Sequence, residues 1–289
     1  MIIDIIISGL INGSVYALLA IGFSLIFGVA RIVNIAHTAF YMVASYCIYY
    51  ATHQMGVHPV LAMLVAIGLV TLIGLICYKL FIDPIREHEA AVLIATIALA
   101  IAMQEIMLLI FTGDFLSVPA LVTGYLKIFE VKIAYQQLLT FAVALLILAG
   151  VWALLKKTRL GLAVRSTAQD REVANLMGMN ESRVAMMTMA VSVGLAAFAG
   201  AVVVPLSVVH PHMWMHPLIM MMAVVVLGGL GSLKGSFVGA YILGLAESLV
   251  VFLIPMGAFL KGSVALSIMI LVLLIRPEGL FGVAFEEER

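Results

Sequence analysis

The sequence predicts an all-α, polytopic transmembrane bundle of about eight to ten spans, with a short amphipathic helix on its cytoplasmic side. Three observations lead there. The 289 residues are 65% hydrophobic with a mean hydropathy of +1.23, too apolar for an ordinary water-facing surface. The apolar runs are long and continuous rather than alternating, which selects helices over a barrel. Charge is sparse, at 10% of the chain, yet Lys156–Arg183 alone holds six of the fifteen Lys and Arg, so this segment lies outside lipid.

Nine apolar segments read as candidate spans, with ends good to about four residues: Gly9–Ala30, Ile35–Ala51, Pro59–Phe81, Ala91–Phe111, Ile133–Leu155, Val184–Val208, Leu218–Leu230, Gly235–Pro255 and Gly262–Ile275. The opening MIIDIIISGL carries Asp4 where a signal peptide has basic residues, so it reads as the start of the first span and not as a cleaved leader. Twelve Lys and Arg fall on one set of alternate connections, which includes Arg31, Arg86, the 156–183 island, Lys234, Arg276 and Arg289. Only Lys127, Lys132 and Lys261 fall on the other. That imbalance predicts the first set inside, the N-terminus outside and the C-terminus cytoplasmic. Leu218–Leu230 is short, at about 20 Å of helix against a core of about 30 Å, and is expected to be re-entrant or broken.

The spans follow one another with short connections, so residues 1–289 read as a single membrane domain. The longest external segment, Thr112–Lys132, contains Gly113, Pro119 and Gly124 and is expected to be a structured loop. Gly13-Ser14 with Gly22, and Gly235-Ser236 with Gly244, share one spacing in two spans of opposite direction. An inverted repeat would produce this pattern, and so would chance.

The chain shows no chemistry of its own. Net charge is zero, which gives no pull toward nucleic acid. Cys47 and Cys77 lie in apolar runs as small core residues. Gly228–Ser236 superficially resembles a phosphate-binding loop, but Leu233 precedes the lysine and Gly235 follows it, so the glycines are expected to serve a sharp turn and close helix approach. His212 and His216, with His210 nearby, lie between Pro211 and Pro217, which predicts an external loop and no metal site. Neither Gly-x-Ser-x-Gly nor His-Glu-x-x-His occurs. No cofactor and no hydrolysis by this chain are expected.

Polar residues within spans are costly, about 2.5–3.5 kcal/mol for a charge on insertion scales. Asn34 and His37 near a cytoplasmic end, Gln104 and Glu105 mid-span, and Glu247 therefore stand out. Either they line a polar path or they make hydrogen bonds between helices. The run Met213–Met222, with Met186, Met187 and Met189, reads as adaptable packing.

Within the basic island, Val173, Leu176 and Met177 recur at helical spacing, while Arg165, Gln169, Asp170, Arg171 and Glu172 give a polar surface. Gly178 is a helix stop, and Asn180 with Glu181 forms an N-cap and acidic first turn for the next span. The spacing predicts one short amphipathic helix over 162–178, which rests on headgroups or fills a groove on a cytoplasmic partner.

Glu172-Val173-Ala174, three residues, then Gly178 resembles the Glu-Ala-Ala-x-x-x-Gly coupling loop of ABC importer permeases, with Val173 in place of an alanine. The flanking 168–172 and 176–180 segments are similar to the version in branched-chain amino-acid permeases of the LivH type. So are GLINGSVYALLAIGFSLIFGV at 9–29, VNIAHTAFYM at 33–42, VVLGGLGSLKGSFVGAYILGLAE at 225–247 and RPEGLFG at 276–282. The 112–132 loop and the HPHMWMHP segment have no counterpart in this resemblance. It implies a permease subunit of an ATP-driven importer in a bacterial-type inner membrane, working by alternating access on branched-chain amino acids. The implied partners are two cytoplasmic ATPase subunits, a second related permease subunit, a periplasmic or lipid-anchored binding protein and membrane lipid. Asp170, Arg171, Glu172, Ala174 and Gly178 are the expected ATPase-coupling residues, and Asn34, His37, Gln104 and Glu247 the expected substrate path. Related permeases also serve urea or short amides. Outside the resemblance, a secondary transporter coupled through Glu105 or Glu247, or a passive channel for polar solutes, stays open.

Overall fold

The computed structural model describes residues 2–128 and 131–282; Arg289, counted above, lies outside them. The apolar runs form helices α1 (Ile2–Ala30), α2 (His37–His53), α3 (Pro59–Cys77) and α4 (Glu89–Phe111), then α5 (Tyr135–Lys157). Two short helices, α6 (Arg159–Gln169) and α7 (Arg171–Leu176), occupy the basic island. They are followed by α8 (Glu181–Val203), α9 (Met215–Gly228), α10 (Leu233–Leu253) and α11 (Lys261–Ile275). Among the described residues seven helices are long and apolar enough to cross a membrane: α1, α3 with its continuation to Ile85, α4, α5, α8, α10, and α11 with the turn from Gly257. The chain is a multi-pass helical membrane protein. The two remaining apolar helices, α2 and α9, are shorter and lie largely inside the bundle.

The helix ends follow local chemistry. α1 starts at Ile2 instead of Gly9, because the Ile-rich leader continues the helix. Pro59 opens α3, where its missing N–H costs nothing, and Pro84 stands likewise in the first positions of the short turn Asp83–Ile85. The segment after α4 is ordered by a hairpin, β1 (Tyr125–Ile128) antiparallel to β2 (Val131–Ala134), with Lys127 opposite Lys132. It is tied to the α8–α9 connection by paired backbone bonds between Leu116 and Val209. Gln136 Oε1 accepts the Leu121 N–H at 2.9 Å and holds the loop to the top of α5.

α1 is buried along most of its length and packs against α5, α8, α9 and α10. Its closest neighbour is α10, which runs antiparallel: Gly9 faces Leu245, Gly13 faces Tyr241, and Ser24 Oγ meets Ser236 Oγ at 2.6 Å. A Cβ built on Gly244 would lie 2.6 Å from the Gly13 nitrogen, so here backbone touches backbone. The two segments that share the Gly-Ser spacing thus lie directly against each other.

α9 is short for a reason the backbone makes plain. Before it, residues 204–214 are non-helical, with Val204, Val209, Met213 and Trp214 buried in protein. After it the chain turns through Gly229 (φ +98°) and Gly231 (φ +78°) into Ser232, whose Oγ accepts the Gly235 N–H at 3.1 Å and caps α10. The turn is closed by the RPEGLFG segment: the N–H groups of Leu280 and Phe281 donate to the carbonyls of Leu227 and Gly228 at 2.8 and 3.0 Å.

Gly244→Val is expected to force α1 and α10 apart and to lower stability by at least about 1–3 kcal/mol, the scale of overpacking a tight contact. Thermal unfolding of the detergent-solubilised protein measures this, and a wild-type melting temperature would contradict it.

Candidate functional site

The segment between α5 and α8 is built from a sharp reversal and three side-chain caps. Thr158 donates to the Leu154 carbonyl at 2.6 Å and accepts the Gly161 N–H at 3.1 Å, starting α6. A side chain at Gly161 would strike the Leu154 and Leu155 carbonyl oxygens, so only glycine lets α6 fold this closely onto the end of α5. The buried side of α6, through Gly161, Val164 and Thr167, packs toward α1 and α8. Asp170 is extended, and its Oδ1 accepts the Val173 N–H at 3.0 Å. The single helix expected over 162–178 is therefore two helices, because the aspartate caps a new start in place of continuing the old helix. Gly178 ends α7 at φ +85°, with the Met179 N–H on the Ala174 carbonyl at 3.1 Å. Asn180 Oδ1 accepts the Arg183 N–H at 2.9 Å and caps α8.

Ala174 is the buried residue of α7, while Glu172, Val173, Leu176 and Met177 face outward. Leu176 is 86% and Met177 78% exposed, an unusual state for two large apolar side chains next to one another beyond the bundle. The helix is held from behind by charge. Arg171 Nη1 stands 3.7 Å from Glu181 Oε1 at the start of α8, and Arg86 Nη1 reaches the same oxygen at 3.9 Å and Asp83 at 3.7 Å. Partial burial pulls the Arg171 pKa below its ordinary value, and Glu181 opposes that shift.

The polar residues of the spans fall in three separate places. Asn34 and His37 are fully buried, not eased by headgroup water as their position near a helix end suggests, because residues 31–36 run into the bundle. Thr96 of α4 holds that connection by accepting the Ile35 N–H at 3.3 Å. His37 Nδ1 meets Ser192 Oγ at 3.3 Å, and Asn34 Nδ2 lies 4.0 Å from Met189 Sδ, both partners on α8. Asn34 Oδ1 has no hydrogen-bond partner, and the His37 ring also meets the backbone of Leu19 on α1. Gln104 is buried on α4; it accepts the Trp214 indole N–H at 2.9 Å and donates to Glu105, which is exposed on the helix surface.

Glu247 is the centre of the third place. Tyr16 donates to its Oε2 at 2.6 Å; Lys261 Nζ stands 3.0 Å and His216 Nε2 3.5 Å from Oε1, an oxygen that receives no well-angled hydrogen bond, so the lysine contact is an ion pair. His216 was expected in an external loop. Instead it lies in the first turn of α9, since Pro217 falls where a proline needs no helical N–H, and it turns to Glu247 while His210 packs on Phe115. Tyr16, Trp214, His216 and Lys261 escaped sequence reading. A signal existed for Lys261, a cation at the mouth of a span facing the one acid of the preceding helix; Tyr16 and Trp214 read only as apolar.

Removing one partner of the Glu247 pair strands the other. Glu247→Ala is expected to cost about 1–3 kcal/mol in thermal stability, and the double variant Glu247→Leu with Lys261→Met to recover part of it. Melting curves of both variants test this; a double variant no better than Glu247→Ala would contradict it.

Residues 5–274 match the model of the family described as branched-chain amino acid transport system / permease component. The chain is 31% identical over 291 residues to the high-affinity branched-chain amino acid transport system permease protein BraD of Pseudomonas aeruginosa, covering 96% of this chain and 94% of that one. It is 30% identical over 295 residues to the LivH permease of Escherichia coli K12, covering 95% and 94%, and 28% identical over 298 residues to the probable LivH of Methanocaldococcus jannaschii, covering 96% and 92%. A chain of PsaBC from Streptococcus pneumoniae, solved in complex with Fab, superposes with a TM-score of 0.49 at 18% identity, covering 95% and 91%. With the family model spanning nearly the whole helical bundle, this chain belongs to the permease components of branched-chain amino acid transport systems.

Proposed function

We propose that the chain is a permease subunit of an ATP-driven importer in a bacterial-type inner membrane, and that it carries branched-chain amino acids by alternating access. ATP hydrolysis belongs to cytoplasmic partner subunits, a second related permease completes the pore, and a binding protein outside delivers substrate. The N-terminus lies outside and the C-terminus in the cytoplasm, as the Lys and Arg distribution requires. The observation that carries the reading is α7: an apolar patch of Val173, Leu176 and Met177 beside Glu172, directed away from the bundle yet fastened to it. Such a patch suits a groove on a cytoplasmic ATPase.

Each coupling residue has a distinct part in this reading. Asp170 sets the start of α7, Ala174 seats it, Arg171 ties it to Glu181, Glu172 faces the ATPase and Gly178 sets the angle at which α7 leaves for α8. Of the path residues, Asn34 carries an amide oxygen without a partner and, with the neighbouring His37, is the better candidate to meet a substrate's polar groups. Gln104 and Glu247 are already engaged, by Trp214 and by Tyr16 with Lys261. That commitment also argues against Glu247 as the proton carrier of a secondary transporter.

Nothing lies within 4 Å of a Cβ at Gly178, so Gly178→Ala alters only the backbone, at about 1–3 kcal/mol for a left-handed residue. In the reconstituted complex, Gly178→Ala and Glu172→Gln are expected to lower substrate-stimulated ATP hydrolysis severalfold with assembly intact. Wild-type coupling in both, or purification with no ATPase subunit bound, would overturn the reading. Uptake of leucine, isoleucine and valine against urea and short amides decides the substrate. Loss of leucine uptake in Asn34→Ala and His37→Ala, with stimulated hydrolysis retained, is expected if these two line the path.

A further inference from the structure

Two adjoining cavities at the coupling-loop end of the bundle form one amphipathic recess. The larger, about 570 Å³, lies between α1, α5 and α10 and is walled by Ile21, Leu148, Trp152, Phe237 and Val238, with Lys234 at its edge. The smaller, about 390 Å³, shares Leu233 and Lys234 with it and is mixed in character, with Arg165 and Gln169 of α6 and Ser232 before α10 set among the apolar Leu25, Val164 and Ala168. Among the described residues no carboxylate pairs with Lys234 or Arg165; Arg165 bonds only the Gly161 carbonyl. Lys156, outside the lining of either cavity, holds its Nζ 4.7 Å from the centre of the Trp152 ring. The N-terminus of α10 adds the positive end of a 21-residue helix.

We propose that this recess binds an anionic phospholipid, with an acyl chain in the apolar cavity between α1, α5 and α10 and its phosphate between Lys234, Arg165 and the start of α10. Charge complementarity selects this occupant. An apolar slot open to the bilayer accepts any chain, but uncompensated cations at its mouth, at the level where spans end, favour a headgroup with net negative charge over a zwitterion. The bound lipid would touch both α6 and the glycine turn, so it would brace the coupling loop against the bundle. Its assignment to the cytoplasmic leaflet rests on the orientation proposed above; the binding itself does not.

Trp152 is a built-in reporter, since it is 59% exposed in the recess and the other tryptophan, Trp214, is buried and contributes an unquenched background. The full chain is reconstituted in nanodiscs and titrated with phosphatidylglycerol or phosphatidylcholine carrying brominated chains. Half-quenching is expected at a mole fraction of phosphatidylglycerol lower by about fivefold per cation than that of phosphatidylcholine. Lys234→Gln with Arg165→Gln should bring the two lipids together, and Lys234→Arg should keep them apart. Equal quenching in the wild type, a preference that survives the double substitution, or protection from both lipids because a second subunit covers the face would each overturn the proposal. The readout needs neither ATP nor substrate, so its failure is distinct from failure of the transport reading.

Discussion

In a bilayer an apolar side chain gains little by leaving lipid for a neighbouring helix, so spans are held by close packing and by buried polar bonds. The contact on which the rest of this structure depends is the one between α1 and α10. Gly9, Gly13 and Gly244 remove the side chains that would keep the backbones apart, and Ser14 with Tyr241 and Ser24 with Ser236 close the seam with bonds of 2.9 and 2.6 Å. With that pair joined, α1 becomes an interior post for α5, α8 and α9. The same approach brings Tyr16 to Glu247.

Around this post, α8 joins the exposed and buried halves of the molecule. Its first turn holds Glu181, the anchor for Arg171 of the loop, and about 12–16 Å further along it presents Met189 and Ser192 to Asn34 and His37. The loop and the buried polar pair are thus borne by one rigid element. A push on α7 from outside has a short mechanical route to the interior, whereas Glu247 and its partners sit on α1, α9, α10 and α11.

Much of this was legible in sequence because lipid leaves the chain few options. Apolar runs marked the spans, and Asn180 and Gly178 marked a cap and a stop that the structure reproduces. What was hidden came from side chains whose role depends on distant partners. Asp170 is compatible with a helix interior or a cap, and only the fold decides. Asn34 sits at a helix end in sequence but under α8 in space. His216 looked like loop because Pro211 and Pro217 flank it, yet a proline in a first turn is harmless. The dual use of the α8–α9 junction, Trp214 toward Gln104 and His216 toward Glu247, has no periodic signature at all.

The backbone bonds from Leu280 and Phe281 to the end of α9 bear on how the protein is made. The carbonyls of Leu227 and Gly228 emerge from the ribosome some fifty residues before the groups that satisfy them, as the numbering requires. Until α10 and α11 have been inserted, the α9 terminus is incomplete, and Gly229 has no Gly282 to pack against. The end of α9 therefore matures in a late step, which waits until residues 280–282 have been made. A short extension of the nascent chain tethered near residue 282 would hold that step back, whereas the α1–α10 seam would already be in place.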